Sequence, residues 1–89
     1  MHFVYILYSE KLDRFYIGES VDPHRRLEFH RAGTERFSAC TDDWILVFKK
    51  AFPSRSAALI TEKKIKSSKS RKTIQRWING PDNEFKTEA

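Results

Sequence analysis

The sequence predicts an α+β domain in which helices cover a small antiparallel sheet, with elements in the order β-β-α-β-α-α. Three observations carry that expectation. Two runs rich in β-branched and aromatic residues, HFVYILY and RFYIG, stand close together at the N-terminus. An almost unbroken apolar run, WILVF, follows near the middle of the chain. Helix start and stop signals, Asp22-Pro23, Pro53-Ser54 and Gly80-Pro81, bracket the remaining segments.

His2–Tyr8 and Arg14–Gly18 read as two strands of a hairpin, separated by the polar stretch Ser9–Asp13. With the turn near Glu10 and Lys11, Tyr5 and Tyr16 fall opposite each other and place two phenols on one face. Asp22 is positioned to cap a helix, Pro23 suits its first turn, and Gly33 stops it after Ala32. On this helix, Pro23–Ala32, the spacings of three and four put Pro23, Arg26, Leu27 and His30 on one face. Arg25, Glu28 and Arg31 take the solvent side.

Thr34–Asp43 is a polar loop holding Cys40, and Trp44–Phe48, continuing toward Phe52, is a third strand whose apolar run predicts burial on both faces. Ser54 caps a helix over Arg55–Lys66 with an apolar stripe of Ala58, Leu59 and Ile65. After an interruption at Ser67–Ser70, a last short helix, Arg71–Asn79, buries Ile74, Trp77 and Ile78. The expectation is one domain over residues 1–80 and a flexible tail over 81–89. No internal repeat or low-complexity linker interrupts it.

Composition agrees. A chain of 89 residues has room for one core, and dividing it would leave neither half enough buried surface. Hydrophobic residues at 39%, with seven Phe, three Tyr and two Trp, exceed what a disordered segment carries. Cys40, the lone cysteine, cannot staple its own chain, which excludes an internal disulfide framework and fits a cytoplasmic setting. Met1–Tyr8 is too short and too alternating for a signal peptide. No run approaches the roughly 20 apolar residues needed to span a bilayer, so no membrane step is expected. His2, His24, His30 and Cys40 lack the paired spacing of a structural zinc site, and nothing around Cys40 marks it as a nucleophile.

The net charge of +5 is unevenly placed. Between Ile60 and Trp77 lie Lys63, Lys64, Lys66, Lys69, Arg71, Lys72 and Arg76 against one acid, Glu62. Such a local field suits a polyanion, nucleic acid above all, although a solvated basic surface accounts equally for a charge run taken alone.

Glu62 is the most informative of these residues. It follows Ala58 by four positions and precedes Ile65 by three, so helical geometry turns its carboxylate along the buried stripe. A charge there needs compensation, either an ion pair with Lys66 one turn on or a hard divalent cation. Magnesium suits one carboxylate, because it keeps several waters and shares phosphate oxygens. Arg26 could grip nonbridging phosphate oxygens, or be an ordinary surface group. Tyr5 and Tyr16 could orient or deprotonate a water, or be ordinary strand tyrosines.

Taken jointly, Phe3-Val4-Tyr5, Tyr16-Ile17-Gly18, the segment DPHRRLEFH with Arg26 and His30, and FPSRSAALITEKKIK with Glu62 form a pattern over Phe3–Ile78. That pattern resembles the GIY-YIG nuclease superfamily, and within it the small, stand-alone bacterial members. The resemblance implies a three-stranded antiparallel sheet flanked by helices and a single divalent metal, Mg2+ or Mn2+, held at Glu62. It implies that Tyr5 and Tyr16 handle the nucleophilic water, that Arg26 contacts phosphate and that His30 supports by hydrogen bonding. The reaction implied is hydrolysis of phosphodiester bonds in DNA, with repair or processing of branched or damaged DNA as the setting. Many relatives use an asparagine downstream of the glutamate; its match is Asn79, which also reads as the end of a helix before Gly80.

Two departures stand out: Phe3 replaces the glycine of the first motif, and Val4 its isoleucine. Lys63, Lys66, Lys69, Arg71, Lys72 and Asn79 are the expected nucleic-acid contacts. Relatives with known targets mostly carry a separate recognition domain, so the expectation here is an affinity that is either low or borrowed from a partner protein. The alternative is a non-catalytic module of the same fold that grips nucleic acid with its basic helices. A third class, an interaction domain charged only for solubility, predicts that the key side chains are scattered.

Overall fold

The computed structural model of the protein describes residues 1–33 and 41–85. Cys40 and most of the expected polar loop lie outside the described residues. The elements follow the expected order: β1 (His2–Ser9), β2 (Arg14–Ser20), α1 (Pro23–Arg31), β3 (Ile45–Phe52), α2 (Arg55–Ser68) and α3 (Arg71–Asn79). The strands form one antiparallel sheet in the order β2-β1-β3.

The centre of the sheet is β1, and alternation along it builds two cores. Val4 and Ile6 point to one face, where Ile17 and Phe48 join Ala58 and Ile65 of α2, with Ile74, Trp77 and Ile78 of α3 alongside. Tyr5 and Leu7 point to the other, packing with Leu27 of α1, Trp44 and Leu46. With helices on both sides, Val4, Tyr5, Ile6 and Leu7 are all buried, a run that period-two alternation alone would not produce.

Local chemistry sets the helix boundaries. The side chain of Asp22 accepts from the Arg25 amide with Pro23 in the first turn, Ser54 accepts from the Ala57 amide, and Ser70 from the Thr73 amide. Each cap satisfies an amide that the helix cannot pair internally. Among the described residues, no helix is long and apolar enough to cross a membrane.

Three expectations need correction. The hairpin is centred one residue later than expected: Tyr5 pairs with Gly18, and Tyr16 with Leu7. The tyrosines are therefore diagonal neighbours, still on one face because their offset is two. Burial on both faces belongs to β1 and not to β3; an edge strand leaves Ile45 48% exposed, and Trp44 precedes the strand. Leu59 is 40% exposed, because Ala58 and Ile65 alone supply the fully buried positions of α2. The segment after Gly80 runs along β3 as far as Phe85. Glu84 N donates to Lys49 O at 2.8 Å, Asn83 Nδ2 donates to the carbonyls of Val47 and Ile78, and Phe85 packs on the α1 face. Along the outer edge of β3 these residues satisfy the amides of Lys49 and Ala51 and the carbonyls of Val47 and Lys49.

Gly18 has a steric reason to lack a side chain. A Cβ there would lie 2.6 Å from both Cζ and Oη of Tyr5, whose ring crosses it. Asp43 ties the β1–β2 turn to the segment before β3: its carboxylate accepts from Ser9 Oγ at 2.6 Å, Lys11 N at 3.0 Å and the Thr41 hydroxyl. These donors favour the charged form and hold the Asp43 carboxyl well below the usual carboxylate range.

Two outcomes follow from this packing. Gly18→Ala should lower stability by roughly 1–3 kcal/mol, read as a lower urea midpoint at unchanged slope, and should cost much less in a Tyr5→Ala background. Because the folded pKa of Asp43 is depressed, its contribution is complete above the unfolded value near 3.9 and is lost as pH falls through the folded value. Asp43→Asn should therefore melt at a lower temperature than wild type at pH 7 and lose less of its stability on acidification below about pH 4.

Candidate active site

Three of the side chains expected to act meet on the α1 face of the sheet. Tyr5 projects from β1, Tyr16 from β2 and His30 from the last turn of α1. The Tyr5 hydroxyl and His30 Nε2 share a hydrogen bond of 3.1 Å, and both residues are buried, at 1% and 0% exposure. The Tyr16 ring lies 4.4 Å from that of His30 and 6.4 Å from that of Tyr5, centroid to centroid, with the edge of Trp44 at 6.4 Å behind it. Tyr16 is only half-buried, so of the two phenol rings it is the one that reaches the surface.

The position of His30 follows from the phase of α1. The Asp22 cap starts the helix, and from that start Pro23, Leu27 and His30 turn inward. Arg31 Nε donates to the Trp44 carbonyl at 2.8 Å, which ties the C-terminal end of α1 to the chain leading into β3. Arg26 stands one turn before His30, half-buried, with its guanidinium 5.7 Å from the centre of the Phe29 ring. The expected shared face of Arg26, Leu27 and His30 is thus present.

Glu62 is placed differently. It rides on α2, across the sheet from α1, and its Oε1 accepts from Lys66 Nζ at 2.6 Å. The carboxylate is 15% exposed and the lysine 50%. No hydrogen bond joins Glu62 to Tyr5, Tyr16 or His30 among the described residues. Nor, among the described residues, do three or more His, Cys, Asp or Glu side chains converge as a metal-holding cluster. A cation at Glu62 would have this one carboxylate, which fits an ion that draws its remaining ligands from water and phosphate.

Of the expected nucleic-acid contacts, Lys63, Lys66, Lys69 and Lys72 are exposed on α2, α3 and the turn between them. Arg71 is committed elsewhere: its guanidinium donates to Asp13 Oδ1 at 2.7 Å and to the Asp13 carbonyl, and lies over the Phe15 ring. Asp13 has a positive φ of 51° at the β1–β2 turn, and the Arg71 contact holds its carboxyl below the usual range. Asn79 is exposed in the last turn of α3.

The contribution of Gly18 was not singled out from sequence, although it belongs to the intact triplet Tyr16-Ile17-Gly18. Its need becomes visible only once Tyr5 is seen to cross it. Phe3, which departs from the glycine of the first motif, pairs with Ser20 on one side and Ala51 on the other. Its φ is not positive, so strand backbone accepts a side chain there without strain.

Comparison with known proteins accords with this geometry. The profile of the GIY-YIG catalytic domain matches residues 1–75. Among solved structures, the chain is similar to the UPF0213 protein BH0048 from Bacillus halodurans, determined by solution NMR, with 27% sequence identity and a TM-score of 0.57. That alignment covers 93% of this chain and 87% of the other. A search of curated proteins gives no significant match. With its catalytic-domain profile running from β1 into α3, the chain belongs to the GIY-YIG family of nuclease-type domains.

Proposed function

We propose that the protein is a divalent-metal-dependent endonuclease that hydrolyses phosphodiester bonds in DNA, in the processing of branched or damaged molecules. The observation that carries this reading is the convergence of Tyr5, Tyr16 and His30 on one face, with Arg26 one turn away on the same helix. Scattered side chains, as an interaction domain charged only for solubility would have, do not describe such a group.

In this reading Tyr16 holds the attacking water by accepting a hydrogen bond. A bond then forms from the water oxygen to phosphorus while the bond to the leaving sugar oxygen breaks; the water's proton passes by way of the Tyr16 hydroxyl to solvent, and the departing oxygen takes a proton from solvent. Arg26 offers its fork of donors to the nonbridging oxygens, where charge builds in the transition state. Tyr5 is a positioning residue: locked to His30 and seated on Gly18, it fixes the imidazole beside Tyr16. Glu62 would hold the divalent cation, Mg2+ or Mn2+, which when bound neutralises charge developing on the scissile phosphate. Lys66 must then leave Oε1. Helical pairs at i,i+4 are worth about 0.3–0.5 kcal/mol, and the cation would replace the charge that Lys66 supplies to the 15%-exposed carboxylate.

One observation favours a second reading, a non-catalytic nucleic-acid-binding module: Glu62 is paired with Lys66 and is not hydrogen-bonded to the tyrosine group. Cleavage of branched, nicked, single-stranded and duplex DNA with added magnesium or manganese separates the two. Wild type should nick DNA only with metal. Arg26→Ala and Glu62→Gln should each lose about 100-fold or more while melting like wild type. Binding by the wild type without cutting, in both metals and on every substrate, would establish the second reading instead. Lys66→Met should reach half-maximal cleavage at a lower metal concentration, since it removes the competing cation; an unchanged or higher requirement would remove Glu62 from the metal site.

A further inference from the structure

The two C-terminal helices carry more positive charge than their own ion pairs use. Lys66 is engaged by Glu62 and Arg71 by Asp13, whereas Lys63, Lys64, Lys69, Lys72 and Arg76 form no ion pair among the described residues. Beside this surface α3 opens onto a cavity of about 250 Å³ lined by Thr73, Arg76, Trp77, Gly80, Pro81 and Asp82. Along α3 (Arg71–Asn79) Thr73 and Trp77 are one turn apart with Gly80 as the C-cap, and Lys72 and Arg76 are one turn apart beside them, while Lys69 stands in the turn that leads into the helix.

Trp77 gives the cavity its character. Its ring meets Phe48 at 6.2 Å and 87°, which props the indole against the sheet, and it remains only half-buried. Gly80 allows the chain to turn back at the helix end, where a Cβ would lie 2.8 Å from the Arg76 carbonyl; Pro81 and Asp82 can then form the far side. Asp82, the acid among the lining residues, is paired with Lys50 at 3.7 Å. The volume falls below the roughly 300–1,000 Å³ of clefts that take drug-sized ligands, so the space suits one or two fused rings. A partly exposed indole beside a guanidinium and lysines offers a π-face for a base and cations for its phosphates. Bases inside a duplex keep their faces stacked on each other.

The geometry points to a site for an unpaired DNA nucleotide, its base against Trp77 and its phosphates along Lys69, Lys72 and Arg76. This inference rests on the reading that DNA is the substrate, and it names the form: a duplex bearing a single-stranded segment. Trp77 packs on the α2–α3 side of the sheet and Tyr5 on the α1 side, so the nucleotide held here is a different one from that beside the tyrosines.

The test is binding, not cleavage, measured with the full chain in EDTA, so that loss of the nuclease reading leaves it intact. Labelled oligo(dT) should bind at low salt and quench tryptophan emission, since Trp44 is 3% exposed and Trp77 is the accessible indole. Trp77→Ala should weaken that binding about tenfold. Thr73→Glu, a change at the rim that leaves the Phe48 contact in place, should do the same with an unchanged melting temperature, while binding of blunt duplex changes less than twofold in either variant. Oligo(dT) binding by Thr73→Glu that matches wild type, an absence of quenching, or equal losses on duplex would overturn the site. Equal or tighter binding of oligo(U) would overturn its assignment to DNA.

Discussion

The Tyr5 ring lies across the backbone of Gly18, and the rest of the site depends on that contact. It needs the two residues directly opposite each other, so it is compatible with one hairpin register. A slip of one residue would move every side chain of a strand to the other face. In this register Tyr5 shares the α1 face with Tyr16, and its hydroxyl meets His30. One missing Cβ thus couples the sheet's register to the position of an imidazole on a helix.

Electrostatically the molecule is divided by its sheet. The α1 side holds an aromatic and imidazole cluster that is largely buried. The α2–α3 side presents cations that its own acids do not neutralise, because Glu62 and Asp13 each take one partner. Polyanions are attracted to such a surface at long range and more strongly at low salt, whereas the buried phenol–imidazole bond is indifferent to salt.

Much of the fold was legible because its signals are local. Asp22-Pro23, Ser54 and Ser70 cap the helices where the sequence places them, since a cap is decided within four residues. What was not legible is set by partners distant in sequence. The runs of β1 and β3 look alike as strings, and only the strand order makes β1 the doubly covered one. The four-residue spacing of Glu62 and Lys66 offered an ion pair, and the structure forms it, but no spacing says which layer carries Glu62. Arg71 read as one more basic residue until the turn brought Asp13 to it across 58 positions.

The segment that follows α3 closes the sheet without adding a strand. Asn83 and Glu84 occupy the outward amides of Lys49 and Ala51, two with side-chain oxygens, and Glu84 covers the Lys49 carbonyl with its own amide. Bare strand margins are where neighbouring molecules begin to stack into larger aggregates. By occupying that margin Asn83 and Glu84 stand where another strand would otherwise pair, and so guard the sheet against edge-to-edge association.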